Sequence, residues 1–150
     1  MARIVSIAYS PPTAEPRPKD NYHRDSFSKA LLSVERGIDG DRKGKARDRH
    51  LNVMSATTLA SLAAEGFKTG PGQMGEQIVV NGVEIDALPV GARIRLGEVA
   101  VVEVTSARTG CDRFEHIQGK PKKLVRGRLG VMARVVTGGP IAVGDPVELL

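Results

Sequence analysis

Residues 92–104 read ARIRLGEVAVVEV. Ile94 and Leu96 alternate with Arg93 and Arg95, so a strand here sends its aliphatic side chains to one face and its arginines to the other. Gly97 and Glu98 interrupt the alternation, and the β-branched run that follows makes a second strand, which together predict a hairpin. One face of that hairpin must meet a core, while the other meets water or a ligand. Outward from it, Val and Ile gather in further short runs at Ile4–Ala8, Gln77–Val80, Val131–Val136 and Pro146–Leu149, each bounded by Gly, Pro, Asn or Asp. Short runs broken this often predict a mostly β fold of the small barrel or sandwich kind.

One helix stands out against this background. SATTLASLAAEG, residues 55–66, offers a Ser cap, an alanine-rich interior, Leu59, Leu62 and Ala63 on one stripe, and Gly66 as terminator. It is expected across an open end of the sheet. Ser26–Glu35 carries Ala30, Leu31 and Val34 at helical spacing and reads either as a second helix or as a strand. Residues 10–20 hold four prolines and cannot form a central strand; they are expected as a loop or mobile arm. No internal repeat or linker interrupts the chain, and its 150 residues fit a single domain, 1–150.

Composition narrows the chemistry. Hydrophobic residues make up 41% and charged residues 26%, as in ordinary globular proteins. A single cysteine forms no internal disulfide and no CxxC pair, which excludes disulfide scaffolds and zinc ribbons and fits a reducing, cytoplasmic setting. No segment approaches the ~18 consecutive apolar residues of a membrane span. The net charge of +5 favours anionic partners. With no Trp, two Tyr and three Phe, however, the chain has little material for base-stacking platforms, so nucleic acid is not the expected partner. His23, His50 and His116 occur without HxH or HExxH spacing, and neither GxSxG nor GxxxxGK[ST] is present.

Four segments remain as carriers of chemistry. Cys111 follows a strong β run, with Gly110 before it and Arg108 and Arg113 on either side, and a cation near sulfur favours the nucleophilic thiolate. The competing reading is an inert buried thiol. GIDGDRKGKARDRHLNV, residues 37–53, places Arg42, Lys43, Lys45, Arg47, Arg49 and His50 among Gly37, Gly40 and Gly44. It reads as an anion-binding loop or as a solvated one. GPGQMGEQIVVNGVEI, residues 70–85, sets Glu76 after a Gly-Pro-Gly turn, to orient a ligand or to accept backbone hydrogen bonds. GKPKKLVRGR, residues 119–128, gathers Lys120, Lys122, Lys123, Arg126 and Arg128 just after the cysteine, as a wider anionic docking surface or as solvated charge.

In their order along the chain these segments resemble the MOSC domain, the C-terminal module of eukaryotic molybdenum cofactor sulfurases that also occurs as small stand-alone bacterial proteins. GIDGDR at 37–42, HLNVMSATTL at 50–59, GEQIVVNG at 75–82, VGARIRLGEVAVVEV at 90–104 and GVMARVVTGGPIAVGDPVEL at 130–149 follow the family's pattern, with Cys111 where the family places its functional cysteine. Lys43 and Gln77 depart from it, standing where many members have His and Asn.

The resemblance implies a β-barrel-like fold and a cysteine that carries sulfane sulfur as a persulfide or meets molybdenum in the pterin-bound molybdenum cofactor (molybdopterin). It makes Cys111 the catalytic and metal-contacting residue. Arg42, Arg49, His50, Glu76, Arg108 and Arg113 become the cofactor-binding set, with the arginines on anionic pterin or phosphate groups. The implied sulfur donor is a cysteine desulfurase, which brings its own pyridoxal phosphate (PLP); no lysine of this chain has a Schiff-base context. Two other readings stand beside it: a molybdenum-dependent reductase of the amidoxime-reducing type, and a non-catalytic module binding nucleic acid or another polyanion.

Overall fold

The computed structural model describes residues 1–13, 15–16, 18–34, 36–42 and 50–150. In chain order it contains β1 (Arg3–Tyr9), β2 (Asp25–Phe27), β3 (Lys29–Ser33), β4 (Gly37–Ile38), β5 (Leu51–Ser55), α1 (Ala56–Ala64) and β6 (Ile78–Asn81). The second half contains β7 (Arg93–Leu96), β8 (Ala100–Ala107), α2 (Asp112–Gln118), a 3-10 turn (Lys122–Val125), β9 (Val131–Thr137), β10 (Gly139–Ala142) and β11 (Val147–Leu149). Eight strands form one sheet in the order β11-β7-β8-β9-β5-β6-β1-β2, and β10-β3-β4 form a second. Among the described residues no helix is long and apolar enough to cross a membrane.

The hairpin of β7 and β8 forms as its alternation requires. Ile94 and Leu96 are fully buried. Arg93 and Arg95 lie on the other face and pair with Glu103 and Glu148, each at 3.0 Å, so that face meets water and cross-strand carboxylates. The mostly β reading is borne out, with the large sheet not closed into a barrel. β11 spends its three residues on β7, and toward β1 there are the Arg3–Pro146 bridge and the bonds Ile4 N–H to Asp145 O, Gly144 N–H to Ile4 O and Val147 N–H to Ala2 O.

The helical reading of Ser26–Glu35 is overturned in favour of strands. Leu32 points inward at 2% exposure while its neighbour Leu31 is 49% exposed, a period of two that no helix produces. Residues 10–13 and the described part of 15–24 form no regular element, as the prolines require.

Every strand pairing is antiparallel except β5 with β6, and parallel neighbours need a crossover, here built around α1. That topology decides where the helix goes. Val53, Ile78 and Val80 point into the core enclosed by the two sheets, with Ile4, Ile94, Val102, Val135 and Leu32. Met54 and Val79 point the other way, onto Leu59 and Leu62 of α1. The helix therefore covers the outer face of β5 and β6 rather than an open end, and Ala63 is exposed instead of joining the stripe. Ser55 is the residue before the helix, but its hydroxyl makes no cap; Oγ donates to Val83 O and accepts from Ile85 N–H. Phe114 of α2 and Val125 of the 3-10 turn join the same outer layer. This second, smaller core fixes the segment that carries Cys111.

Candidate functional site

Sequence reading missed α2, although DRFEHIQG carries its marks: Phe114, Ile117 and Gln118 at helical spacing are buried, and Gly119 ends the helix in the left-handed region at φ 66°. Cys111 is the residue before this helix. Its carbonyl accepts from Glu115 N–H at 3.1 Å, while its side chain makes no capping bond and the residue is exposed. Gly110 serves close approach, since a Cβ there would stand 2.8 Å from Lys122 Cβ. The cysteine loop and the basic 3-10 turn are thereby brought together.

Behind the thiol lies a cluster centred on the buried ring of Tyr22. The guanidinium carbons of Arg113, Arg24 and Arg108 stand 5.1, 5.8 and 5.9 Å from its centroid. Three cations around one ring are mutually repulsive, and each loses hydration. Burial holds the pKa of Arg24 and of Arg108 below the ordinary arginine value, against the opposing fields of Asp41 and Glu76 on Arg24 and of Tyr22, Glu76 and Cys111 on Arg108. Burial likewise raises Tyr22, against the field of Arg108, with Cys111 adding to the rise. The thiol thus belongs to the electrostatic neighbourhood of Tyr22 and Arg108, and Lys122 feels it from the other side.

Most of these charges are anchored by the fold. Arg108 donates from Nη1 to Asn52 Oδ1 at 2.8 Å, and Asn52 Nδ2 donates to Leu129 O and Val131 O, tying the end of β8 to β5 and β9. Asn52 N–H donates to Gln77 Oε1, and Gln77 Nε2 donates to Asp41 Oδ2 at 3.3 Å. The residue that departs from the family pattern at position 77 is therefore a buried bridge. Arg113 Nη2 donates to Asn21 O at 3.0 Å and Pro18 O at 3.4 Å, so this arginine holds the proline-rich segment against α2. His116 pairs with Asp20 at 3.4 Å on the same seam.

Four atoms in the cluster remain unanswered. Tyr22 Oη, Arg24 Nε, Arg24 Nη1 and Arg113 Nη1 are buried without a hydrogen bond. Tyr22 Oη has the Arg108 guanidinium as a neighbour, but not at hydrogen-bonding geometry. Each such group costs about 1–3 kcal/mol when left unmet. Three of the four are guanidinium nitrogens, two of Arg24 and one of Arg113.

The other residues singled out from sequence divide around this cluster. Glu76, 1% exposed, accepts from Gly72 N–H at 2.9 Å and Met74 N–H at 3.1 Å, so it braces the Gly-Pro-Gly turn and lends negative charge to Arg24 and Arg108. His50 is buried with Nδ1 accepting from Val135 N–H at 3.1 Å, a strand-to-strand tie. Arg42 is half-buried, and its backbone N–H donates to Ser10 O at 2.7 Å. Arg49 and Lys43 lie outside the described residues. Tyr22 and Arg24 had no motif to announce them, while Asp41 and Asn52 lie in the quoted segments GIDGDR and HLNVMSATTL without having been singled out. Among the described residues no group of three His, Cys, Asp or Glu is arranged to hold a metal ion.

Glu76→Ala is expected to destabilise the protein by about 2–4 kcal/mol, because two buried N–H groups lose their acceptor; urea unfolding measures it. Burial also raises the pKa of Glu76 and of Asp41, first among its causes for each. A carboxyl raised on folding favours the native state below its unfolded value of 4.5 and gives that up as pH rises through the folded value. Glu76→Gln is accordingly expected to gain on wild type as pH rises above 4.5.

The family model for the MOSC domain matches residues 33–148. No curated protein matches the chain in sequence. Among solved structures, the YuaD protein from Bacillus subtilis superposes with a TM-score of 0.77 at 17% identity, covering 99% of this chain and 96% of that one. YiiM from Geobacillus stearothermophilus gives 0.75 at 18% identity, over 100% of this chain and 75% of that one. YiiM from Escherichia coli gives 0.71 at 20% identity, over 99% and 69%. These identities speak to the shared fold, and the family match spans most of the chain, from the end of β3 to β11. The chain belongs to the MOSC domain family.

Proposed function

We propose that the protein works through Cys111 as a sulfur carrier. The observation that carries this reading is an exposed thiol set beside a buried arginine, Arg108, with Lys122 on its other side. An exposed thiol is open to exchange with a partner's persulfide, and the flanking cations match the negative charge that passes between attacking and leaving sulfurs. The donor is a cysteine desulfurase whose own active-site cysteine carries the sulfane sulfur. The Cys111 thiolate attacks that outer sulfur, a new S–S bond forms on Cys111, the donor's S–S bond breaks, and the donor cysteine leaves as thiolate. No net oxidation occurs, and the PLP chemistry stays with the donor.

A second reading is favoured by the unmet guanidinium nitrogens of Arg24 and Arg113. The residues present fit a molybdenum cofactor: Cys111 offers a soft sulfur donor, and Arg24, Arg113 and Tyr22 would hold an anionic phosphate. When bound, that group supplies a redox-active metal. The polyanion reading fares less well, because none of the two Tyr and three Phe is exposed for stacking.

Mass spectrometry of the intact protein tests the leading reading. After incubation with a cysteine desulfurase and free cysteine, Cys111 is expected to gain about 32 Da, removable by reductant, and Cys111→Ser to gain nothing. An unmodified wild-type thiol under conditions that persulfurate a control acceptor would refute it.

A further inference from the structure

Far from the cysteine loop, the outer face of the small sheet is left apolar. Side chains alternate across a strand, so Leu32 of β3 enters the core while Lys29 and Leu31 point outward. Their cross-strand partners on β10 are Ala142 and Pro140, which face the same way. Together with Glu98 and Val99 of the β7–β8 turn, these residues line a hollow of about 570 Å³. Leu31 and Val99, 49% and 52% exposed, leave its apolar surface in water. Exposed apolar surface gathered round a hollow, rather than scattered singly, marks a site of contact. β10 is the end strand of its sheet, but Pro140 has no N–H to give, so the contact is made by side chains and not by adding a strand.

The charges decide which partner fits. Lys29 and Glu98 are exposed and opposite in sign, and neither makes an ion pair among the described residues. Asp145, the other charged residue of the lining, accepts from Ala142 N–H at 2.9 Å. The hollow thus offers one free cation and one free anion in a chain that carries +5 overall. A strongly acidic or basic partner finds no match here, and two copies that repel through their basic faces do not repel through this one. In a twofold contact residue i meets j and j meets i, so Lys29 of each copy meets Glu98 of the other. We infer that this face docks a second copy of the chain, as a twofold dimer held by Leu31, Val99 and Pro140 and set in register by Lys29 and Glu98. β8 starts beside Val99 and runs eight residues to Ala107, roughly 23 Å, so the contact leaves Cys111 open in both copies. The dimer forms whether or not Cys111 carries sulfur.

Sedimentation equilibrium of the full chain over a range of concentrations is the test. Wild type is expected to dimerise reversibly. Leu31→Ser/Val99→Ser, Lys29→Glu and Glu98→Lys should each weaken the dimer at least ~10-fold with far-UV circular dichroism unchanged, the last two because they set like charges across the contact. Lys29→Glu has this effect even though it lowers the net charge that drives copies apart. Mixed in equal amounts, the two repelling variants should associate again, to within ~3-fold of wild type, because both pairs across the mixed dimer are then of opposite sign. A chain that stays monomeric up to ~1 mM overturns the dimer. A dimer indifferent to these substitutions, or a mixture that stays monomeric, overturns this face as its contact.

Discussion

Gly130→Ala is expected to cost about 3 kcal/mol or more of folding stability, the largest loss from a methyl group added at any of the described glycines. Gly130 sits at φ 71° just before β9, where a Cβ would collide with the backbone carbonyl of Val53 on β5. A backbone oxygen in a paired strand cannot swing aside as a side chain can. Relief must come from moving β9 off β5, which breaks the register Leu51–Ala133, Asn52–Met132 and Val53–Val131. The same shift disturbs function, because Gly130 O accepts from Arg108 N–H at 3.1 Å and Asn52 holds the Arg108 guanidinium. Gly119→Ala provides the comparison: its φ of 66° is equally left-handed, but a Cβ there meets nothing within 4 Å. It should cost only about 1 kcal/mol, from conformation alone. Urea unfolding of the two variants side by side separates close approach from backbone preference, and equal losses would show that β9 does not lie so near β5.

How far the sequence discloses this molecule depends on the range of the information. Alternation in ARIRLGEVAVVEV and the alanine-rich run after Ser55 are local signals, and both elements form where the spacing puts them. The segment at 25–33 misleads because Ala30, Leu31 and Val34 fit a helical spacing by chance, while the partner that makes it a strand, β10, lies over a hundred residues away. The mostly β class is legible from the short runs, but whether the sheet closes is not, since closure depends on how β11 divides its few hydrogen bonds. At the site, Cys111 and Arg108 are legible because they are close in sequence and chemically conspicuous. Tyr22, Arg24 and Asn52 are not, because only the β1–β6 and β5–β9 pairings carry them to the cysteine loop. Arg113 shows what adjacency leaves out: its Nη2 also donates to the backbone of Pro18 and Asn21, a tie that no local pattern announces.

Arg108→Met is expected to produce the second large effect, slowing reactions of Cys111 at neutral pH by about 10-fold. One cation facing the negative charge shared by the attacking and leaving sulfurs is worth on the order of 1.4 kcal/mol, a factor of ~10 in rate. Stability should fall as well, by roughly 1–2 kcal/mol, as Asn52 Oδ1 loses its donor. Arg108→Lys keeps the charge but not the planar fork, so it should restore much of the reactivity with little of the bond to Asn52. A purely structural arginine would show the reverse order, with lysine no better than methionine.

The direct measurement is the rate of Cys111 alkylation by iodoacetamide at pH ~7, in the native chain, in the same chain unfolded by urea, and in Arg108→Met. The native thiol should react faster than the unfolded one, and Arg108→Met should erase that advantage. A native thiol no faster than the unfolded chain, or one indifferent to Arg108, would contradict the assignment of Cys111 as the working group of this protein.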